Sequence, residues 1–147
     1  MGELLTATHN FGTAPTRASS AADTFKAALY LTTATLNAST TVYSATGEVT
    51  GTNYTAGGVA VTNANAPTAT NSSTTAGTAY WTPSASITYT TVTLSTAFDT
   101  VLIYNSTQSN KAVSVHTFGS QTVTAGTFTL TMPTNNTTNA LLRLVTT

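Results

Sequence analysis

The chain has 147 residues and a mass of 15.0 kDa, only 5% of its residues are charged, and its formal net charge is zero. Four scattered Lys and Arg residues exclude nucleic-acid binding by phosphate neutralisation and a basic helix on a membrane surface. The absence of Cys excludes disulfides and thiol chemistry. The length fits one domain, and a net charge of zero favours self-association because neighbouring copies do not repel one another.

Residues 1–23 differ from the rest of the chain in composition. They lack the basic start of a signal peptide, and Leu4-Leu5 is a short apolar run. We expect an N-terminal arm whose Leu4, Leu5 and Phe11 contact a partner and become ordered on docking against a shell or a neighbouring subunit. The alternative is a leader with no fixed structure of its own. The β-domain is then expected to span residues 24–147.

Short strands are predicted through the first half of the domain. The segment 24–32 is rich in aromatic residues and Thr, which favours a strand over a helix despite its Ala content. Further short strands are predicted at 41–44, 47–54 and 59–62. The pair Gly57-Gly58 predicts a turn or bulge with positive φ, and not a phosphate loop, since no Lys or helix pattern follows it. Residues 63–78 hold no apolar side chain larger than Ala, which predicts a long exposed loop.

The second half is the clearer β-region. Apolar side chains occupy the odd positions Ile87 and Tyr89 and then the even positions Val92 and Leu94. This switch from one face of a strand to the other predicts a bulge between Tyr89 and Val92. The segment 101–104 is apolar at every position and predicts a central strand covered on both faces. The remaining predicted elements are a strand at 79–82, a turn at 105–110, a strand at 113–116, a turn at 119–122, a strand at 127–132, a turn at 135–136 and a strand at 141–145.

Eight to ten short strands with turns every 8–12 residues predict an all-β fold. The expected architecture is a single antiparallel β-sandwich or jelly roll with an extended N-terminal arm. Thr fills 39 of the 147 positions, and its β-branched side chain suits a strand while its hydroxyl faces water without adding charge.

Candidate catalytic residues are few, and none forms a recognisable motif. His116, Asp99 and any Ser could compose a Ser–His–Asp triad, but no Gly-x-Ser-x-Gly elbow marks a nucleophile. Glu48 and Asp99 are the only acids inside the β-region, and nothing marks them as a glycosidase pair. His9 and His116 have no metal-ligand spacing with the acids. We therefore expect a protein that is not an enzyme and holds no metal, cofactor or small-molecule substrate.

Aromatic residues offer a second type of candidate site. Tyr43, Tyr54, Tyr80 and Trp81 could form a sugar-binding platform, although core filling and interface anchoring suit the same side chains. Tyr54 and Trp81 are the two that we expect to contact a partner.

Three stretches together resemble a known family. They are Asp23-Thr-Phe-Lys-Ala-Ala-Leu-Tyr30, then Gly47-Glu-Val-Thr-Gly-Thr-Asn-Tyr-Thr-Ala-Gly-Gly58, and then Val101-Leu-Ile-Tyr-Asn105 with the strands at 112–119 and 125–130. Their order resembles a family of small virion structural proteins of tailed bacteriophages, over roughly residues 23–145. Members are non-enzymatic components of the particle, in the head or in the tail.

The resemblance implies a virion location and particle partners. We expect a capsid decoration or cement protein on the outer surface of the head, made in the host cytoplasm. Its partners would be the major capsid protein and copies of itself, with a homotrimer suited to a three-fold lattice position. The alternative is a tail or fibre component that binds a host receptor or glycan. A secreted bacterial adhesin is a third option, weakened by the missing signal sequence and cysteines.

Overall fold

The computed structural model describes residues 22–70 and 77–145. Leu4, Leu5 and Phe11, which are predicted to contact a partner, lie outside the described residues. Within the described ranges the chain forms seven strands and no helix. The strands are β1 (Phe25–Leu31), β2 (Val59–Val61), β3 (Thr68–Thr70), β4 (Thr78–Trp81), β5 (Ile87–Asn105), β6 (Lys111–Leu130) and β7 (Leu142–Val145). Nothing in these ranges is a helix with the length and apolarity needed to span a bilayer.

The strands form two sheets in which every neighbouring pair is antiparallel. The larger sheet has the order β2-β1-β5-β6, and the smaller has the order β3-β4-β7. Trp81 on β4 packs on Phe25 of β1, with ring centroids 6.1 Å apart, and so brings the small sheet against the large one. The predicted all-β class is confirmed.

Strands β1 and β5 lie at the centre of the large sheet, and β1 and the second half of β5 are buried on both faces. On β5, Val101 and Ile103 point into the main core, whereas Leu102 and Tyr104 point into a second cluster on the opposite face. Residues from the connection between β1 and β2 cover this second cluster; they include Ala34, Leu36 and Tyr43. The prediction of a doubly covered strand at 101–104 is confirmed, because all four side chains are at most 3% exposed.

The long hairpin of β5 and β6 curls over on itself. Phe118 and Phe128 are ten residues apart on β6, a separation of about 33 Å in a straight strand. Their ring centroids are nevertheless only 5.5 Å apart, and both rings pack on Phe98 of β5. Register shifts along β5 produce this bend, and positive φ angles at Thr91 and Ala125 accompany it. The predicted bulge is confirmed, since the register shifts between Tyr89 and Val92.

Two predictions about connections are wrong. The segment 119–122 is not a turn, because β6 runs through it and Gln121 pairs with Phe98 of β5. The segment 63–78 is not wholly a loop, because residues 68–70 form β3 against β4. The strands predicted at 41–44 and 47–54 are also wrong, because Val42, Glu48 and Thr52 form only isolated bridges there. The described residues therefore hold seven strands and not the eight to ten short ones predicted, and β5 and β6 are 19 and 20 residues long.

Candidate functional site

The most concentrated polar chemistry among the described residues surrounds Glu48. The segment 47–49 lies beside β1, where the Leu31 amide donates to the Gly47 carbonyl and the Val49 amide donates to the Leu29 carbonyl. These bonds turn the Glu48 side chain inward, and the residue is only 7% exposed.

Both carboxylate oxygens of Glu48 accept hydrogen bonds from the protein. Oε2 accepts from the Tyr43 hydroxyl at 2.6 Å, and Oε1 accepts from the Tyr54 hydroxyl and the Gly57 amide, each at 2.7 Å. The Tyr54 hydroxyl in turn accepts from the Leu29 amide at 3.0 Å. We call Glu48, Tyr43, Tyr54, Gly57 and Tyr104 the Glu48–tyrosine cluster.

Tyr104 closes the cluster from β5. Its hydroxyl donates to the Gly57 carbonyl at 2.8 Å, and its ring stacks on Tyr43 with centroids 4.7 Å apart. The cluster thereby connects β1, the turn at 51–58 and β5. A buried carboxylate is tolerated when it accepts several hydrogen bonds, and Glu48 accepts three.

The tyrosines of this region resist ionisation. Burial, followed by the charge of Glu48, raises the pKa of Tyr30 to about 12. Burial is also the main cause that raises the pKa values of Tyr43, Tyr54, Tyr89 and Tyr104 above the ordinary value, and the Glu48 carboxylate raises each of them further.

Alkaline titration tests this arrangement. Unfolded tyrosines have a pKa of about 10, and the folded values are higher, so the stability they contribute is complete below about pH 10 and is lost as the pH rises above it. Above about pH 10 we expect these five tyrosines to ionise at a higher pH in the folded chain than in urea. Absorbance at 295 nm, with the chain in urea as the control, measures this. A folded-state curve that coincides with the curve in urea would contradict the assignment.

A second polar node ties the start of β1 to the end of β5. The Asp23 carboxylate accepts from the amide groups of Asn105 and Gln108, at 2.7 and 3.1 Å. Asn105 is fully buried, and its Oδ1 accepts from the backbone amides of Thr107 and Gln108. The stretches 23–30, 47–58 and 101–105 therefore meet in space, through Asp23 with Asn105 and through Gly57 with Tyr104.

Sequence reasoning weighed Glu48 only as half of a catalytic pair and missed its role in the cluster. The available signal was the spacing of Glu48, Tyr54 and Gly57 within one glycine-rich stretch in which no other residue is charged. The structure engages both of its oxygens with protein donors, so the carboxylate holds the fold together at this point.

The Ser–His–Asp triad considered for His116 and Asp99 does not form in the described residues, because the two side chains are hydrogen-bonded to different partners. His116 Nε2 lies 2.9 Å from Ser114 Oγ on the same strand. Asp99 Oδ1 accepts from the Thr100 hydroxyl. Burial lowers the pKa of His116, which favours the neutral imidazole. In the ranges described, no three His, Asp or Glu side chains are grouped as a metal-ligand set.

The aromatic candidates occupy separate places in the domain. Tyr43 and Tyr54 both donate to Glu48, and Tyr54 also stacks on Tyr89, with centroids 5.9 Å apart. Trp81 is 3% exposed, and its Nε1 donates to Asn63 Oδ1 and to the Asn65 carbonyl. Tyr80 lies half-buried on β4. A partner contact by Tyr54 and Trp81 stays a prediction, and the structure uses both side chains for internal packing.

Comparison with known proteins assigns no family to the chain: no family model, no curated protein and no solved structure matches it.

Proposed function

We propose that the chain is a bacteriophage virion structural protein, and specifically a decoration or cement protein on the outer surface of the capsid. The observation that carries the proposal is the near absence of charge on a β-domain with a well-packed core. Of the six charged residues in the described ranges, Glu48 faces inward and Asp23 accepts hydrogen bonds from Asn105 and Gln108. The rest of the surface is dominated by Thr, Ser, Asn and Gly.

Such a surface suits adhesion. Contact with a coat lattice would desolvate few charges, so the electrostatic penalty of docking is small. Apolar side chains add contact points, since Val42, Leu144 and Val145 are 48%, 41% and 53% exposed. Two of them lie on β7, which is an edge strand of the small sheet.

A rigid domain and many identical contacts on the particle would both strengthen this adhesion. The two-faced core around β1 and β5 holds the surface in one shape, which lowers the entropy lost on docking. Identical weak contacts then add up across the particle by avidity, both to the major capsid protein and between copies of the chain. A homotrimer at a three-fold lattice position is the arrangement we propose, and Leu4, Leu5 and Phe11 add contacts to the shell or to a neighbouring subunit.

Salt dependence tests the adhesive mechanism. The purified chain is mixed with phage particles from which it has been stripped, and the bound fraction is measured by sedimentation at low salt and at about 1 M NaCl. Because few charges are present to be screened, we expect the apparent Kd to change by less than about threefold. A loss of binding of about a hundredfold or more would contradict an uncharged interface.

Copy number distinguishes decoration from the tail alternative. Quantitative mass spectrometry of purified particles, with the major capsid protein as the internal standard, counts the chain per particle. Hundreds of copies support decoration of the head. A handful of copies would overturn it in favour of a tail or fibre component.

A further inference from the structure

The second edge of β6 is open over most of its length in the described structure. The first edge of β6 pairs with β5. Among the described residues, the second edge pairs with residues 41–43 at its start, where Val42 forms an isolated β-bridge with Lys111 and the Ala112 amide donates to the Thr41 carbonyl. Over residues 113–121 no described strand pairs with this edge. Proteins normally protect such edges with charges, proline or a covering segment, and residues 112–130 contain no Lys, Arg, Asp, Glu or Pro.

A groove lies along this open edge. It consists of two neighbouring cavities of about 450 and about 460 Å³, which share His116, Thr117 and Leu141 in their linings. The groove takes its apolar character from half-buried side chains, namely Phe118, Phe128, Leu130, Met132, Leu141 and Leu142. Among the described residues, its lining contains two ionisable side chains, His116 and Arg143.

Asp23 and Thr24 lie at the end of the sheet where β6 begins. Asp23 accepts hydrogen bonds from Asn105 and Gln108. Thr24 is hydrogen-bonded to Ser106 and Thr107, and these two residues lie in the turn between β5 and β6. The open edge lies two strands away from β1, about 10 Å across the sheet. The eleven residues from 12 to 22 span at most about 40 Å when extended, which is ample for this crossing.

The sequence of residues 5–11 fits an added strand. Leu5, Ala7, His9 and Phe11 alternate with Thr6, Thr8 and Asn10, the period-2 pattern of a strand with one apolar face. The segment carries no Lys, Arg, Asp or Glu, which suits a groove with so few ionisable residues. Gly12 and Pro15 follow it, and both residue types favour the change of direction that the crossing requires.

We propose that, in the unassembled chain, residues 5–11 add to the open edge of β6 as a further antiparallel strand and fill the groove beside it. The order of the large sheet is then β2-β1-β5-β6 followed by this segment. The direction is antiparallel because the segment runs back toward the turn at 105–110, from which β6 runs away. The occupant is the chain's own segment, because a short linker gives it an effective concentration in the millimolar range. This inference does not depend on the role in a virion.

Hydrogen exchange on the whole chain tests the proposal. Amides of residues 113–121 that point away from β5 should exchange at least about tenfold more slowly in the full chain than in a chain lacking residues 1–22. The double substitution Leu5→Ser with Phe11→Ser should remove this protection, since it takes the two largest side chains from the groove face. Leu4→Ser is the matched control, because it removes an apolar side chain outside the segment and in the opposite phase, and it should keep the protection.

Two results would overturn the proposal. The first is equal exchange at residues 113–121 in the full chain and the double-serine variant, with near-ultraviolet circular dichroism showing that both are folded. The second is protection that disappears on dilution from about 100 μM to about 1 μM, which would mean that a second copy supplies the strand. The double-serine variant keeps the test decisive if the truncated chain does not fold.

Discussion

Replacing Glu48 with alanine is expected to lower the free energy of unfolding by about 4 kcal/mol. The carboxylate accepts three hydrogen bonds in a site that is nearly closed to water. Hydrogen bonds to a charged group contribute about 1.5–3 kcal/mol each, and relief of the buried charge offsets part of that loss. The Gly57 amide and the Tyr54 hydroxyl would lose their acceptor inside the domain. Urea unfolding followed by circular dichroism measures the change.

Glu48→Gln is the matched control for this prediction. Its carbonyl oxygen can still accept from the Gly57 amide and the Tyr54 hydroxyl, while its NH₂ group faces the Tyr43 hydroxyl, which can accept. We expect a loss of only about 1–2 kcal/mol. If glutamine and alanine destabilise the chain equally, the hydrogen bonds to Glu48 are not what stabilises this region.

Replacing Gly58 with alanine is expected to cost about 4 kcal/mol or to prevent folding. A Cβ at this position would lie 1.7 Å from the carbonyl oxygen of Ala27, and the φ angle of +74° is one that residues with a side chain rarely adopt. The same Ala27 carbonyl accepts a hydrogen bond from the buried Tyr89 hydroxyl at 2.7 Å, so a shift of β1 would disturb a second contact.

Gly119→Ala is the control for the glycine prediction. A Cβ there would meet nothing within 4 Å, and the residue lies in the exposed part of β6. We expect a change within about 0.5 kcal/mol. Thermal melts of both variants provide the measurement, and a similar melting temperature for Gly58→Ala and the unsubstituted chain would show that β1 does not pass as close to Gly58 as described.

Local patterns predicted those parts of the fold in which burial follows the residue types directly. The apolar run at 101–104 predicted a strand covered on both faces, and the change of phase after Tyr89 predicted a bulge. The segment 119–122 was misjudged because Gly-Ser-Gln-Thr has the composition of a turn. Gln121 pairs with Phe98, and Phe118 packs on Phe98 and Phe128. These contacts keep β6 continuous, and each joins residues at least ten positions apart in the sequence.

The candidate site was less accessible to prediction than the fold. A lone Glu in a charge-free stretch gives no sign that it is buried, since that depends on Tyr43, Tyr54 and the Gly57 amide meeting it in space. Once the geometry is known, the glycine-rich stretch has a physical explanation. Gly57 supplies a donor to Glu48, Gly58 permits close approach to β1, and Tyr54 bridges the carboxylate and the Leu29 amide.

The central claim is that this domain is a fixed, repeated component of a virus particle. A cryo-electron microscopy map of virus particles purified from the source of the chain tests it most directly. We expect density for the two sheets at regular positions on the outside of the head, with an uncharged face of the domain against the coat. Density confined to the tail, or particles that lack the chain altogether, would contradict the account.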